Sequence, residues 1–383
     1  MGLISRLSSA RSSFPLGFVF DIDGVLLRGN VPLPGARDTL LSLMQSEIPW
    51  ICLTNGGGEL ESSKARKLSK ILSLPVHPSQ IVLSHTPMRS LCLELKSKRV
   101  LVLGCRDVRG VANAYGLTKV HTPLDILHDT PSLYPFLEVP QDRVGMLSHR
   151  DEPFGAILVL HDPNSWGLEI QIALDVLCGG DHRSGRQVTP YFASNPDLTF
   201  AGSFPGAPRL AAGAFTAALA ATWAATMPPH TPSLQTTFFG KPNKLTFDYA
   251  KGALVGWAAW AEEVGWHSRA AKVANGNSGG LGGLVEECEE RDLELGSTSK
   301  NYKIPQSAAA FESIVMVGDN PKADIVGANV AGAPWKSVLV KTGVWQGELL
   351  HGAEVPGVCA PTVRHAVETF TKNVHSEATT VTR

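Results

Sequence analysis

Two aspartates stand two positions apart behind an apolar run, in FVFDIDGV at residues 18–25. An aspartate carboxylate is a usable nucleophile toward phosphorus, forming an aspartyl phosphate that splits one hard displacement into two easier ones. At neutral pH Asp21 and a phosphate dianion repel each other, so such a site needs a hard cation. Mg²⁺ suits it, because it takes oxygen ligands and keeps several waters. Asp319, in SIVMVGDN, can share that ion with Asp21. Asp23 can protonate a leaving oxygen and later deprotonate the attacking water. The Thr54 hydroxyl and nearby backbone N–H groups can hold phosphoryl oxygens, and Lys241 can neutralise charge shared by nucleophile and phosphoryl group. Gly24, Gly56, Gly57, Gly58 and Gly240 would let backbone approach a phosphate closely. Asp324, five residues after Asp319, can bind a metal-bound water or cap the helix that starts there. Each piece alone is weak. A DxD pair is more often a solvated strand end, Thr-Asn after a strand is usually a turn, and GDNPKAD reads as a helix start with Pro321 near its first position.

The elements around these residues give them meaning. Apolar runs alternate with helical patterns, the signature of an α/β fold with a parallel sheet. GFVFDID, PWICLTN, RVLVLGC, GAILVLHD, TPYFASNPD, TTFFGKPN, SIVMVGDN and KSVLVKTGV read as strands. Helical patterns lie between them, in PGARDTLLSLMQSE, LESSKARKLSKILS, DVRGVANAYG, SWGLEIQIALDVLCGG, KLTFDYAKGALVGWAAWAEE and PKADIVGANVAGA. In such sheets functional loops lie at the carboxyl ends of the strands. Asp21/Asp23, Thr54/Asn55, Gly240/Lys241 and Gly318/Asp319 all fall there. Together, in this order, they point to a site rather than to packing. Residues 122–153, rich in Pro, Asp and His, read as loop. Residues 267–308 read as a low-complexity insertion, with NGNSGGLGG, EECEERDLE and GSTSKN in sequence.

Bulk properties exclude several classes. The 383 residues are 43% hydrophobic and 18% charged, with a net charge of -1 and a mean hydropathy of +0.03. That is an ordinary composition for a globular protein of two domains, or of one with a large insertion. The balance gives no electrostatic case for a nucleic-acid binder, and no Lys/Arg run of five occurs. The six cysteines are scattered without a CxxC, which reads as a reduced chain rather than a disulfide scaffold. The stretch LAAGAFTAALAATWAATM, residues 210–227, carries no charge, but its Ala and Thr content favours a buried helix over a membrane span. The first fourteen residues hold two arginines, five serines and no acid. This fits a short mitochondrial presequence as well as a plain tail.

The motifs resemble the haloacid dehalogenase superfamily of aspartate-based phosphatases. All four of its motifs have counterparts: DIDGV at 21–25, LTN at 53–55, GKP at 240–242 and GDNPKADIVGA at 318–328. DIDGVLLRGNVPLPGA and SNPD at 194–197 look like subclass IIA. LTNGGG, GDNPKADIVGAN and SVLVKTGVW are similar to the haloacid dehalogenase-like hydrolase domain-containing 5, or cat-eye-syndrome-critical-region, type. The resemblance implies a Rossmann-like core with a parallel sheet and an inserted α/β cap of the C2 type. The core would be 16–83 and 237–383, the cap 84–236 and the tail 1–15. It implies Asp21 as nucleophile, Asp23 as acid/base and Lys241 as the motif-three lysine. Mg²⁺ would be held by Asp21, the Asp23 carbonyl and Asp319, with Asp324 nearby. Thr54 would bind the phosphoryl group, with Asn55 and Gly56 beside the substrate and Asn195 and Asp197 shaping the pocket or forming an Asx turn. The substrate would be a small phosphometabolite, and the type is associated with mitochondria and, in fungi, with glycerophospholipid metabolism. Pairing of two copies through the cap is a further expectation. The glycine triplet at 56–58 departs from the pattern and is expected to loosen the loop after motif two. His121, His128, His161 and Arg209 are pocket candidates that more often serve as surface or structural residues.

Two rivals remain. A receiver domain also uses Asp, Thr, Lys and Mg²⁺, but it would be about 120 residues long, whereas Thr54 and Lys241 are 187 positions apart here. A protein that keeps the site without turnover, acting as a scaffold near lipid-synthesis enzymes, would be favoured by loss of Asp21 or Asp23, and both are present.

Overall fold

The computed structural model describes residues 13–140, 142, 144–200, 209–276 and 310–378. In chain order its principal strands are β1 (Ser13–Phe20), β2 (Trp50–Leu53), β3 (Ile81–Val82), β4 (Arg99–Leu103), β5 (Lys119–His121), β6 (Phe154–Val159), β7 (Tyr191–Ala193), β8 (Thr236–Phe238), β9 (Ala310–Gly318), β10 (Trp335–Val340) and β11 (Val358–Ala360). They form two parallel sheets, in two compact units. The first unit comprises residues up to Thr54, Glu61–Val82 and Lys241 onward; the second comprises Asn55–Leu60 and Leu83–Gly240.

The first unit carries the sheet β11-β10-β9-β1-β2-β3. Phe18, Val19 and Phe20 have no exposed surface, and every residue of β2 is buried. Strands covered on both faces need continuous apolar runs, which FVF and WICL supply. Phe20 is in register with Val317 on one side and Cys52 on the other. The ends of β9, β1 and β2 are therefore adjacent, and Asp319, Asp21 and Thr54 follow directly from three neighbouring strands. The helix Lys244–Glu263 packs against β1, β2 and β9. It buries Phe247, Ala250, Leu254, Trp257 and Ala261, a stripe at alternating three- and four-residue spacing. Asn243 caps it, accepting a hydrogen bond from the Leu245 N–H at 2.9 Å.

The second unit is a smaller sheet in the order β8-β7-β6-β4-β5, again parallel throughout. The Ala-rich segment forms the helix Ala212–Thr226, which buries Ala212, Phe215, Thr216, Leu219 and Trp223 in this unit's core. Among the described residues no helix is long and apolar enough to cross a membrane.

Two segments read as loop contain helices. Pro123–Asp129 is helical within 122–153. The signal is local: the Asp125 carboxylate accepts from the Thr122 N–H at 2.7 Å, and Pro123 opens the turn. Its two buried aliphatic residues, Ile126 and Leu127, are too few to show a period. Trp266–Ala274 is likewise a helix, burying Trp266, His267, Ala270 and Ala271. The Gly/Ser-rich sequence downstream masks that pattern. The rest of the expected insertion, 277–308, and residues 1–12 of the N-terminal tail lie outside the described residues.

Candidate active site

In the first unit Lys241 is the centre of the arrangement. Its Nζ donates to Asp21 Oδ1 at 2.7 Å and to Asp324 Oδ1 at 2.6 Å, and all three residues are buried. Burial pulls the lysine pKa down, but the two carboxylates outweigh it and hold the ammonium charged well above its ordinary range. Asp319 completes the group. Ligand-capable oxygens of Asp21, Asp319 and Asp324 lie within 4.8 Å of one another. With all three carboxylates ionised, the one ammonium would leave a surplus of two negative charges. Burial, with the charges of Asp21 and Asp324, pushes the Asp319 carboxyl up to about 8. A buried oxygen-only donor set with surplus negative charge fits a hard divalent cation such as Mg²⁺.

Local sequence explains these placements. Gly24 has φ +94°, the left-handed region that favours glycine, and a side chain there would run into the Asp319 carboxylate. Gly343 faces the same carboxylate just as closely. The Val344 N–H donates to Asp319 Oδ2 at 2.7 Å, and Thr342 Oγ1 donates to the Gly24 carbonyl at 2.5 Å. The loop after β10 thus braces Asp319 and the DxD turn, a role that sequence reading did not assign. A signal for it was present in the Thr-Gly pair of KTGV at the end of a strand. Asp324 does not cap the helix, but it does stand in the carboxylate group that could hold a metal. The helix cap is Asn320, whose Oδ1 accepts from the Lys322 and Ala323 N–H groups. The Oδ2 of Asp324 accepts from the Asn320 N–H at 3.0 Å and its Oδ1 holds Lys241, so both oxygens are engaged within the protein.

Asp23 is exposed and is not in the carboxylate cluster, whereas Asp21 is buried. Thr54 is buried at the end of β2, and its N–H donates to the Val82 carbonyl at 3.0 Å. Cys52, one strand position from Leu53, is pushed up to about 12 by burial, which removes it as a thiolate nucleophile at neutral pH.

In the second unit Asn55, Gly56, Asn195 and Asp197 come together. Asn55 Nδ2 donates to Asp197 Oδ2 at 2.8 Å, Asn195 Nδ2 donates to the Asn55 carbonyl at 3.3 Å, and the Ser84 N–H donates to the Gly56 carbonyl at 3.1 Å. Two of the three glycines in this loop are closely hemmed in. A Cβ on Gly57 would sit 2.9 Å from His85, from Ser84 Oγ and from the Leu160 carbonyl, and one on Gly58 would strike the His161 ring. Arg106 contacts the Gly57 carbonyl and pairs with Glu59 at 3.5 Å. Small residues are present because neighbours fill the space. Of the pocket candidates, His121 is buried among Arg99 and Phe154, a structural setting, and Arg209 is exposed.

The first unit thus carries an aspartate–lysine–aspartate cluster at the carboxyl edge of a parallel α/β sheet. Residues 18–118 match the family described as haloacid dehalogenase-like hydrolase, and residues 238–366 match the related HAD-hydrolase-like model. The chain is 34% identical over 357 residues to the mitochondrial hydrolase YKR070W of Saccharomyces cerevisiae, covering 90% of this chain and 92% of that one. It is 33% identical over 344 residues to the cardiolipin synthase (CMP-forming)/mitochondrial hydrolase fusion protein of Schizosaccharomyces pombe, covering 86% of this chain but only 49% of the fusion. The glycerol phosphate phosphatase Rv1692 of Mycobacterium tuberculosis, solved in complex with magnesium, shares the fold with a TM-score of 0.52 at 17% identity, covering 92% of this chain and 77% of that one. The chain belongs to the haloacid dehalogenase-like hydrolases, a family of enzymes. Both relatives are named as mitochondrial hydrolases, which supports a mitochondrial localisation.

Proposed function

We propose that the protein is a Mg²⁺-dependent phosphomonoester hydrolase that works through an aspartyl phosphate on Asp21 and acts on a small phosphometabolite. The observation that carries this reading is the Lys241 bridge between Asp21 and Asp324 beside Asp319. With Oδ1 of Asp21 held by Lys241, its other oxygen attacks phosphorus, forming a P–O bond as the bond to the substrate oxygen breaks. Asp23 gives that oxygen a proton and later takes one from the water that attacks the phosphoryl group. That attack releases inorganic phosphate and restores the Asp21 carboxylate. Lys241 neutralises charge on the nucleophile and phosphoryl oxygens, and Thr54 holds those oxygens. Asp324 keeps the ammonium in place. Asp21, the Asp23 carbonyl and Asp319 would hold Mg²⁺, which offsets the surplus negative charge and favours binding of a phosphate dianion.

The magnesium complex of Rv1692 supports this choice of metal. The relative fused to a cardiolipin synthase supports a link to mitochondrial glycerophospholipid metabolism. Purified wild type and Asp21→Asn are to be compared on p-nitrophenyl phosphate with and without Mg²⁺. Wild type should turn over only with the metal and Asp21→Asn should fall by at least ~10³-fold, given the cost of losing a nucleophile. Equal rates for the two would sink the proposal.

A further inference from the structure

Asn55 and Gly240, which stand in the second unit next to Thr54 and Lys241 in the chain, both adjoin one turn of that unit. Phe238 is in register with Ala193, and the Phe239 N–H donates to the Ala193 carbonyl at 2.8 Å, so β8 leads Gly240 alongside Ser194. Gly240 has φ +78°, and a Cβ there would run into the Ser194 carbonyl and sit 3.0 Å from Asn55 Oδ1. Asn55 is gripped twice from the same turn, at its carbonyl by Asn195 Nδ2 and at its amide by Asp197 Oδ2. The turn is itself closed by the Asp197 N–H donating to Asn195 Oδ1 at 2.8 Å. Asn55 and Gly240 are each one peptide bond from a residue assigned to the chemistry: Thr54 precedes the first and Lys241 follows the second.

We infer that Asn195 and Asp197 are positioning residues: the Ser194–Asp197 turn clamps Asn55 to Gly240 and so sets the spacing between Thr54 and Lys241. This rests on the phosphatase reading, but not on any substrate identity. Asp197 is well suited to the task. Its carboxylate accepts from an amide, a charge-assisted bond stronger than a neutral one, while Asn195 is buried and uses both ends of its side chain. A displacement of about 1 Å in a positioned catalytic group can cost ~10²-fold in rate. A residue that touched the leaving group would instead act differently on different leaving groups.

The test uses the full chain and the variants Asp197→Ala, Asn195→Ala and Asp197→Asn. Rates are measured on p-nitrophenyl phosphate and on a polyol phosphate. Amide hydrogen exchange is followed in peptides covering 53–60 and 238–244. The two alanine variants should lose ~10- to 100-fold in kcat by the same factor on both compounds, with KM within about threefold. Exchange should quicken in both peptides and stay unchanged in β4 and β6. Asp197→Asn, whose amide oxygen can still accept from Asn55, should stay within about threefold of wild type. A loss confined to KM, or one that differs between the leaving groups, assigns these residues to substrate contact and overturns the clamp. Unchanged exchange in both peptides also overturns it. If wild type hydrolyses neither compound, the phosphatase reading has failed and exchange alone decides the clamp. If Asp197→Ala does not fold, Asn195→Ala and Asp197→Asn carry the same comparison.

Discussion

Replacing Lys241 with methionine removes the one cation that Asp21 and Asp324 share while nearly keeping the side chain's volume. The N–O distances of 2.7 and 2.6 Å place each charge pair about 4 Å apart, centre to centre. At an effective dielectric constant near 20, each attraction amounts to ~4 kcal/mol. Desolvation of the buried ions offsets much of that. What the variant exposes is the cost of leaving buried carboxylates without their partner, about 3–5 kcal/mol. That is a large fraction of an ordinary domain's stability. The effect has a pH signature. Without the ammonium, the folded carboxylates titrate above their unfolded value of ~3.9. A raised carboxylate contributes stability below its unfolded pKa and loses it as pH rises through the folded one. Asp319 already stands at about 8 with the lysine present. The penalty should therefore be small near pH 4 and grow toward pH 8. Urea unfolding in EDTA at several pH values reads it, and kcat on p-nitrophenyl phosphate should fall by ~10²–10³-fold, as for other removed charge-stabilising donors. A variant within 1 kcal/mol of wild type at pH 8, or within tenfold in kcat, would refute the reasoning that Lys241 balances this cluster.

Metal addition should stabilise the fold. At 100 times its Kd, Mg²⁺ should add about 2.7 kcal/mol, read as a rise in Tm, and Asp319→Asn should abolish the rise while the variant still folds in EDTA. His121 gives an independent pH dependence in the second unit. Burial, reinforced by the Arg99 charge, lowers its pKa from 6.5 to about 4. The unfolded chain binds the proton first, so stability is full above about 6.5 and is lost as pH falls toward 4. His121→Gln should flatten that loss in acid unfolding curves.

Much of the site was legible in the sequence because its chemistry needs particular residue types at strand ends. FVFDID had to be a buried strand that stops at an acid, and SIVMVGDN another. Their parallel pairing follows from the helices between them, since a crossover is needed to return each strand in the same direction. The aspartates, Thr54 and Lys241 were thus named before their distances were known. Other features depended on contacts between residues far apart in the chain. Asp324 could have been a cap, but Asn320 took that role, and only packing showed that Asp324 holds Lys241 from 83 positions away. Gly57 and Gly58 read as slack, because sequence shows a missing side chain and not the neighbour that fills its space. Gly343 and Val344 carried no chemical label, yet they brace Asp319. Sequence determined which groups could react and the type of element each ends, since residue chemistry and hydrophobic period are local properties. Tertiary structure decided which groups touch and which oxygen of each carboxylate is engaged, since these are set by how strands and loops distant in sequence pack together.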